Sequence, residues 1–172
     1  MTVTPRRLVV GLSGASGVIY GIRLLEALRQ DAAIETHLVI TPSARITVAQ
    51  ETDYSVGQVE ALADAVHKPE NIGASIASGS FATLGMAIVP CSIKSLSAVA
   101  HSYASDLLVR AADVTLKEGR PLVLVVRETP LHLGHLRLMA QAAELGAVIL
   151  PPMPAFYSRP QTLDDIINET VG

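Results

Sequence analysis

Short apolar runs rich in β-branched residues alternate along the chain with longer stretches whose apolar residues recur every three to four positions. This alternation is typical of βαβ units and predicts a parallel sheet covered by helices. The predicted strands lie at residues 8–10, 36–40, 86–89, 122–126 and 147–150. The predicted helices lie at residues 18–30, 95–101, 105–117 and 133–145, with two more that start near residues 41–45 and 163. The predicted fold is therefore an α/β, doubly wound, mostly parallel sheet of flavodoxin or Rossmann type, a three-layer sandwich.

A proline-rich, apolar segment at residues 151–161 predicts an extended arm, followed by a C-terminal helix from about residue 163. An extended apolar segment is not expected to be stable when it is exposed to water. We therefore expect it to pack against another copy of the chain. With 172 residues, the chain is long enough for one hydrophobic core and short for two. The sequence therefore predicts a single domain over residues 1–172 that forms a homo-oligomer.

Composition narrows the class of protein. Hydrophobic residues make up 49% of the chain and charged residues 17%, which excludes a disordered role. The net charge is −3 and no block of Lys and Arg is present, so nucleic acid is disfavoured as a partner. The single cysteine excludes an intrachain disulfide. No apolar run reaches the roughly 18 residues of a membrane span, and no secretory signal pattern is seen, so we expect a soluble, cytoplasmic protein.

Short polar side chains follow four of the predicted strands at the point where each strand ends. In a doubly wound sheet the carboxyl ends of the strands meet at one edge, and ligands bind there. We therefore expect a binding site at this edge. Its candidate residues, in chain order, are Ser13 and Ser16; Thr41, Ser43 and Arg45; Cys91, Ser92 and Lys94; and Arg127 and Glu128.

The turn after the first strand carries glycines at positions 11, 14 and 17. Such glycines let backbone N–H groups approach an anion at the N-terminus of the next helix. Ser13 stands where a dinucleotide-binding turn has its second glycine, and Thr41 stands where that fold has an acidic residue. The turn also lacks the lysine of a P-loop. A mononucleotide is therefore favoured over NAD, while a purely structural turn, and a purely capping role for Thr41, stay open as alternatives.

Three other groups have both a functional and a structural interpretation. His132 and His135 have the spacing of a metal-binding pair, but no third ligand with suitable spacing is found, so we expect no metal. Cys91 lacks an accompanying base, so we expect a small buried residue rather than a nucleophile. Arg110 and Lys117 share one helix face, and pairing with nearby acidic residues at the surface is the alternative to a role in the site.

The chain resembles the UbiX/Pad family of flavin prenyltransferases over nearly its whole length. The turn Gly11-Leu-Ser-Gly-Ala-Ser-Gly17 and the Tyr20-Gly21 pair after it resemble the opening of that family. Further matching segments follow in the family's order, which makes the resemblance specific. They are residues 51–53, 77–80, 90–96, 110–113, 116–118, 120–123, 127–128, 146–151, 154–157 and 160–161.

The resemblance implies an FMN-binding transferase. Members of the family join the dimethylallyl group of dimethylallyl monophosphate to N5 and C6 of reduced FMN. The product, prenylated FMN, serves as the cofactor of a UbiD-type decarboxylase, for example in ubiquinone biosynthesis. The family forms homo-dodecamers with sites at subunit interfaces, so Tyr157 or Glu51 of this chain would serve a neighbouring copy.

The resemblance also implies roles for individual residues. Glu128 matches the acid that assists departure of the phosphate, and Arg110 matches a basic position near the active site. Ser16 and Glu51 match a proton-handling pair near the flavin. The positions that would contact FMN are Gly14, Ala15, Ser16, Thr41 in place of the more usual serine, Ser92, Ile93, Lys94, Ser95 and Arg127, and those that would meet the prenyl phosphate are Tyr157 and the catalytic Lys117.

The chemistry of the reaction is consistent with these residue types. Breaking an allylic C–O bond leaves a phosphate whose growing charge needs Lys, Arg or a proton. Most prenyltransferases instead use magnesium held by aspartate-rich motifs, whereas the Asp164-Asp165 pair has no third carboxylate in place. We therefore expect a metal-independent prenyltransferase.

Two other functions stay open. An FMN-dependent cysteine decarboxylase shares the fold, but the sequence has neither its Pro-x-Met-Asn signature nor its histidine after the first helix. The second alternative is a non-catalytic FMN carrier, which would survive the change Glu128→Gln. Members of the resembled family also continue beyond the position of Gly172 with a basic residue that helps to hold the prenyl phosphate, and we expect this protein to continue likewise.

Overall fold

The structure is a computed structural model that describes residues 6–172, so the first five residues of the predicted domain lie outside it. Within this range the chain forms β1 (Arg6–Leu12), β2 (Ile34–Ile40), β3 (Ala65–His67), β4 (Gly85–Cys91), β5 (Leu122–Val126) and β6 (Val148–Ile149). The helices of the same range are α1 (Val18–Leu28), α2 (Pro42–Glu51), α3 (Val56–Glu60), α4 (Ile93–Ala100), α5 (Leu107–Lys117), α6 (Leu133–Glu144) and α7 (Leu163–Val171). None of these helices has the length and apolar character needed to cross a membrane.

The strands form one sheet in the order β3-β2-β1-β4-β5-β6, and every neighbouring pair is parallel. This is the strand order of the Rossmann fold rather than that of flavodoxin. Successive strands are added outward from β1 on one side of the sheet and outward from β4 on the other. The carboxyl ends of β1 and β4 are therefore the switch point where such folds bind ligands. The predicted α/β, doubly wound fold is confirmed, with a sheet that is parallel throughout the described residues.

The sheet separates two hydrophobic cores. Along β1, Val9 contributes to one core and Val10 to the other, as the alternation of side chains along a strand requires. Helices α1 and α2 close the Val10 side, where Ile22 and Leu25 are fully buried. Helices α4, α5 and α6 close the other side, for example through Leu108. The predicted three-layer sandwich is therefore present.

Helix α1 packs unusually close to the sheet. A Cβ atom at Gly21 would overlap the carbonyl oxygen of Val89 on β4. The helix begins after Gly17, whose φ of 95° lies in the left-handed region that glycine adopts without strain. Two glycines thus set the direction and the depth of α1, and they place its N-terminus at the switch point.

The structure corrects the predicted elements in two places. The strand predicted at residues 86–89 runs on to Cys91, with a shift of register between Ile88 and Cys91. The sequence analysis also missed β3 and α3. Both are too short for a periodic pattern, and β3 pairs with β2 alone at the outer edge of the sheet.

The predicted arm contains a 3₁₀ turn, Phe156–Ser158, which ends at Arg159 in the left-handed region, and its other residues belong to no helix or strand. Its large apolar side chains are open to solvent, with Met153, Phe156 and Tyr157 each exposed by more than 70%. A single chain therefore leaves this surface uncovered.

Candidate active site

The turn after β1 meets the end of α2 through Glu51. The Glu51 carboxylate accepts a hydrogen bond from the Gly17 N–H at 2.8 Å and a longer one from the Val18 N–H at 3.4 Å. The positive end of α1 is thus occupied by a carboxylate of the chain itself. Ser16 is exposed and directly precedes Gly17, so its backbone adjoins the residue that Glu51 contacts.

The start of α2 lies against the same turn. Thr41 is buried and caps α2, since its hydroxyl accepts a hydrogen bond from the Ala44 N–H at 3.2 Å. The Ser43 side chain fills the space beside Gly14, and a Cβ atom at Gly14 would overlap it. Arg45 turns away and pairs with Glu60 at 2.6 Å. Of the predicted second anion site, the Thr41 and Ser43 side chains therefore lie at this turn, whereas the Arg45 guanidinium is engaged by Glu60.

A buried hydroxyl joins the ends of β1 and β4. Ser13 is 1% exposed, and its Oγ donates to the Pro90 carbonyl at 2.9 Å and accepts from the Ser92 N–H at 2.7 Å. Ser92 in turn caps α4, accepting a hydrogen bond from the Ser95 N–H at 3.2 Å. The backbones of the β1 turn and of the start of α4 are therefore held side by side.

Lys94 occupies the rim of this region. Its side chain is 75% exposed, and its ammonium nitrogen lies 3.7 Å from a carboxylate oxygen of Asp106. It lines a cleft of about 530 Å³ together with Ser97, Ala98, His101, Tyr103, Ser105 and Asp106. A cation at the mouth of an open cleft is available to an anionic ligand.

Arg127 and Glu128 follow β5 at the same edge of the sheet. The Arg127 N–H donates to the Cys91 carbonyl at 3.2 Å, which joins this strand end to that of β4, and both side chains are exposed. Glu128 accepts a hydrogen bond from the Thr129 N–H at 2.9 Å. The two residues line a cleft of about 240 Å³ whose other walls include Leu131, Met139 and Met153. The Glu128 carboxyl group therefore lies at a partly apolar cleft beside the end of β5.

Helix α5 carries the other two predicted cations, Arg110 near its start and Lys117 at its end. The Leu107 N–H bonds the carbonyl of Pro69, just beyond the carboxyl end of β3, whereas the far end of the helix leads into the start of β5. With 11 residues, α5 is about 16 Å long, so Lys117 lies toward the opposite edge of the sheet. Within one chain, Lys117 is therefore not brought together with Ser92 or Arg127.

Local pairing accounts for both cations of α5 in the single chain. Lys117 bonds Glu118, and this hydrogen bond is the main reason that the pKa of Glu118 lies below its ordinary value. Arg110 pairs with Asp113 at 3.0 Å and donates to the Ala77 carbonyl at 3.2 Å. Tyr157, on the arm, is 88% exposed.

Two further candidates have structural roles. Cys91 is fully buried, and burial raises the pKa of its thiol to about 12, so the prediction of a small buried residue is confirmed. His132 caps α6, because its Nδ1 accepts hydrogen bonds from the Gly134 and His135 N–H groups at 3.0 and 3.4 Å. Among residues 6–172, no three side chains of His, Cys, Asp or Glu form a group that could hold a metal ion.

The comparison with known proteins points to one family. A family model described as Flavoprotein matches residues 2–169. The flavin prenyltransferase UbiX of Escherichia coli K12 is 68% identical over 167 residues, which are 97% of this chain and 88% of that protein. The flavin prenyltransferase UbiX of Thauera aromatica is 66% identical over 165 residues, 96% of this chain and 84% of that protein.

Solved structures similar to this chain point to the same family. AnUbiX (PadA1), in complex with FMN and dimethylallyl pyrophosphate, has a TM-score of 0.96 and 48% identity, over 98% of this chain and 89% of that chain. A dodecameric FMN-dependent UbiX-like decarboxylase from Escherichia coli O157:H7 has a TM-score of 0.95 and 50% identity, over 96% and 89%. The peptidyl-cysteine decarboxylase EpiD, at 12% identity and a TM-score of 0.69 over 98% of this chain and 99% of that chain, shares the fold alone. The resemblance inferred from the motifs is therefore confirmed: the chain belongs to the flavoprotein family and, within it, to the UbiX flavin prenyltransferases.

Proposed function

We propose that this protein transfers the dimethylallyl group of dimethylallyl monophosphate to N5 and C6 of reduced FMN, and that the prenylated FMN serves a UbiD-type decarboxylase. The observation that carries the proposal is the meeting of four strand ends, rich in hydroxyl and backbone N–H groups, in a chain 68% identical to a flavin prenyltransferase. We further propose that residues 1–172 form a single FMN-binding domain. Its location in the cytoplasm stays a prediction.

The strand ends suit an FMN molecule. The absence of a side chain at Gly14 lets the Ser43 side chain lie directly against the β1 turn, so its hydroxyl is close to the backbone that would hold FMN. The residues that would hold FMN are Gly14, Ala15, Ser16, Thr41, Ser92, Ile93, Lys94, Ser95 and Arg127. Lys94 and Arg127 are exposed cations at this edge and would oppose the phosphate charge. Reduced FMN, once bound there, supplies the two nucleophilic positions of the reaction.

The residues around the FMN site would then manage charge and protons. Glu128 would give a proton to the phosphate as the allylic C–O bond breaks, so that the phosphate leaves with less negative charge. Closing the ring onto C6 consumes the remaining double bond of the prenyl unit, which requires a proton to be added to that unit and one to be removed from C6. Ser16 and Glu51 would handle these protons, a role supported by the position of the Glu51 carboxylate at the start of α1.

The phosphate-binding residues would come from neighbouring copies. Lys117 lies on α5, toward the opposite edge of the sheet from Arg127, and Tyr157 lies exposed on the arm. A homo-dodecamer, the assembly named for the similar protein from Escherichia coli O157:H7, would cover the apolar arm and bring these side chains to a second chain's site. Burial of Met153 and Phe156 would supply the hydrophobic driving force.

The decisive experiment is anaerobic incubation with reduced FMN and dimethylallyl monophosphate, without added metal, followed by mass spectrometry of the released flavin. Dimethylallyl diphosphate is compared in parallel, because the similar solved structure holds the pyrophosphate. We expect a flavin heavier by one prenyl unit. Unmodified flavin from protein that binds FMN would contradict the proposal and favour an FMN carrier.

A matched pair of variants separates enzyme from carrier. Glu128→Gln is expected to lower prenylation about 100-fold and to leave FMN binding unchanged. Glu144→Gln changes another exposed carboxylate, at the end of α6, and should leave both prenylation and FMN binding unchanged. A carrier would deliver flavin equally well with either change. Incubating the protein with oxidised FMN and a peptide that ends in cysteine tests the decarboxylase alternative, and we expect the peptide to stay intact.

A further inference from the structure

We propose that Ser13 is a positioning residue that holds the β1 turn and the start of α4 at the separation required by FMN. The inference rests on the proposed function, because it concerns the two backbone segments that would hold FMN. Ser13 itself would make no contact with the ligand. It is almost completely buried beneath the switch point.

The geometry leaves the Ser13 hydroxyl one arrangement. Its single proton goes to the Pro90 carbonyl at 2.9 Å, because a carbonyl can only accept. Its oxygen must then accept the Ser92 N–H at 2.7 Å, because that N–H can only donate. One hydroxyl therefore connects the last residues of β4 to the cap of α4 from a position on the β1 turn.

Helix-cap hydrogen bonds extend this connection to the proposed ligand site. Ser92 accepts the Ser95 N–H at 3.2 Å and donates its hydroxyl proton to the Ser95 Oγ at the same distance. Four of the nine proposed FMN contacts are residues 92–95, and three more are residues 14–16, directly after Ser13. A glycine at position 13, as in a dinucleotide-binding turn, would have no hydroxyl to make this connection.

Loss of the hydroxyl would leave the Ser92 N–H without its acceptor. The start of α4 could then move relative to the β1 turn, and FMN would have to order both segments when it binds. We expect Ser13→Ala to raise the FMN dissociation constant about tenfold or more, the effect of one unsatisfied buried donor. Ser13→Thr keeps the hydroxyl and should bind FMN nearly as the unchanged protein does.

The matched control is Thr115→Val. Thr115 is 3% exposed, its hydroxyl donates to the Ala111 carbonyl at 2.7 Å, and it lies on α5 away from the strand ends. The measurement is FMN titration by fluorescence quenching at one temperature, chosen well below the melting temperature of the least stable variant so that every variant is folded. A weaker FMN affinity in Ser13→Ala alone, restored in Ser13→Thr, supports the proposal. Equal affinity in Ser13→Ala and the unchanged protein overturns it, even if the melting temperature falls.

Amide hydrogen exchange of the unchanged protein tests the same connection without a variant, in case Ser13→Ala does not fold. The Ser92 amide should be protected without FMN to a degree similar to the amides of β1. Rapid exchange at Ser92 would overturn the proposal. Failure of the unchanged protein to bind FMN at all would instead refute the proposed function, so the two failures are distinguishable.

Discussion

The carboxyl edge of the sheet and the helix–arm surface, which consists of α5 and residues 151–161, differ in how complete they are within one chain. At the edge, helix caps and the Ser13 hydroxyl already fix the backbone around the proposed flavin site. On the helix–arm surface, Lys117 is engaged by its neighbour Glu118, and Tyr157 is 88% exposed. The difference teaches that, under the proposed function, one chain would supply the flavin site, whereas the prenyl-phosphate site would require other copies.

The largest expected effect comes from substituting one residue in each region and then combining the two variants in one assembly. Glu128→Gln at the edge and Lys117→Met on α5 should each lower prenylation about 100-fold, the usual contribution of a proton donor or a phosphate cation. Mixed assemblies of the two variants should regain activity, because some sites then combine an intact Glu128 with an intact Lys117 from another copy. The measurement is product mass from co-expressed, doubly tagged protein. No recovery in verified mixed assemblies would place both residues in one chain's site.

Disturbing the close packing beneath the edge should have the next largest effect. Gly21→Ala forces a methyl group into the Val89 carbonyl, which we expect to lower the free energy of unfolding by about 3 kcal/mol. Gly57→Ala on α3 is the control, since a Cβ there meets nothing within 4 Å and should be neutral or slightly stabilising. Urea denaturation of both variants provides the comparison. Equal stability of Gly21→Ala and the unchanged protein would contradict the close approach of α1.

A pair of helix caps distinguishes a ligand contact from a structural one. Thr41→Ala and Thr162→Ala each remove a hydroxyl that caps a helix, α2 and α7 respectively, and each should cost about 1 kcal/mol of stability. FMN affinity should fall in Thr41→Ala alone, with Thr41→Ser restoring it. Thermal melting and FMN titration measure the two effects. Equal FMN affinities in the two alanine variants would show that Thr41 caps α2 and does not contact FMN.

The smallest expected effect lies at the outer edge of the sheet, remote from the strand ends that would bind flavin. His67 on β3 lies with its Nε2 2.9 Å from the Nδ1 of His37, whose other nitrogen is 3.0 Å from Glu35, itself paired with Arg7. Burial, and then the charge on His37, lower the pKa of His67. The unfolded chain therefore binds more protons than the folded one just below the ordinary histidine pKa of about 6.5, and stability falls as the pH drops through this range.

Removing the imidazole tests this pH dependence. His67→Gln should flatten the fall in stability below about pH 6.5 by a fraction of a proton, while FMN affinity at neutral pH stays unchanged. Denaturation at several pH values measures the slope. An unchanged slope would show that other groups titrate in this range.

Sequence patterns were sufficient for long elements and insufficient for short or composite ones. The strand predicted at residues 122–126 coincides with β5, because an uninterrupted apolar run is a strong signal. The strand that was expected to stop at Val89 continues through Pro90, whose carbonyl remains free to accept the Ser13 hydrogen bonds. Glu51 matched a family motif, but its contact with the start of α1 depends on two segments 34 positions apart.

The sequence by itself determined the α/β class, the polar residues that follow each strand, and the glycines that allow a ligand or a helix to come close. These are local properties, set by periodicity and by backbone freedom within a few residues. The tertiary structure alone decided the strand order, the connection through Ser13, and the placement of Lys117 toward the opposite edge from Arg127. These features arise where elements distant in the chain pack together, and packing depends on the whole set of buried surfaces rather than on any one segment.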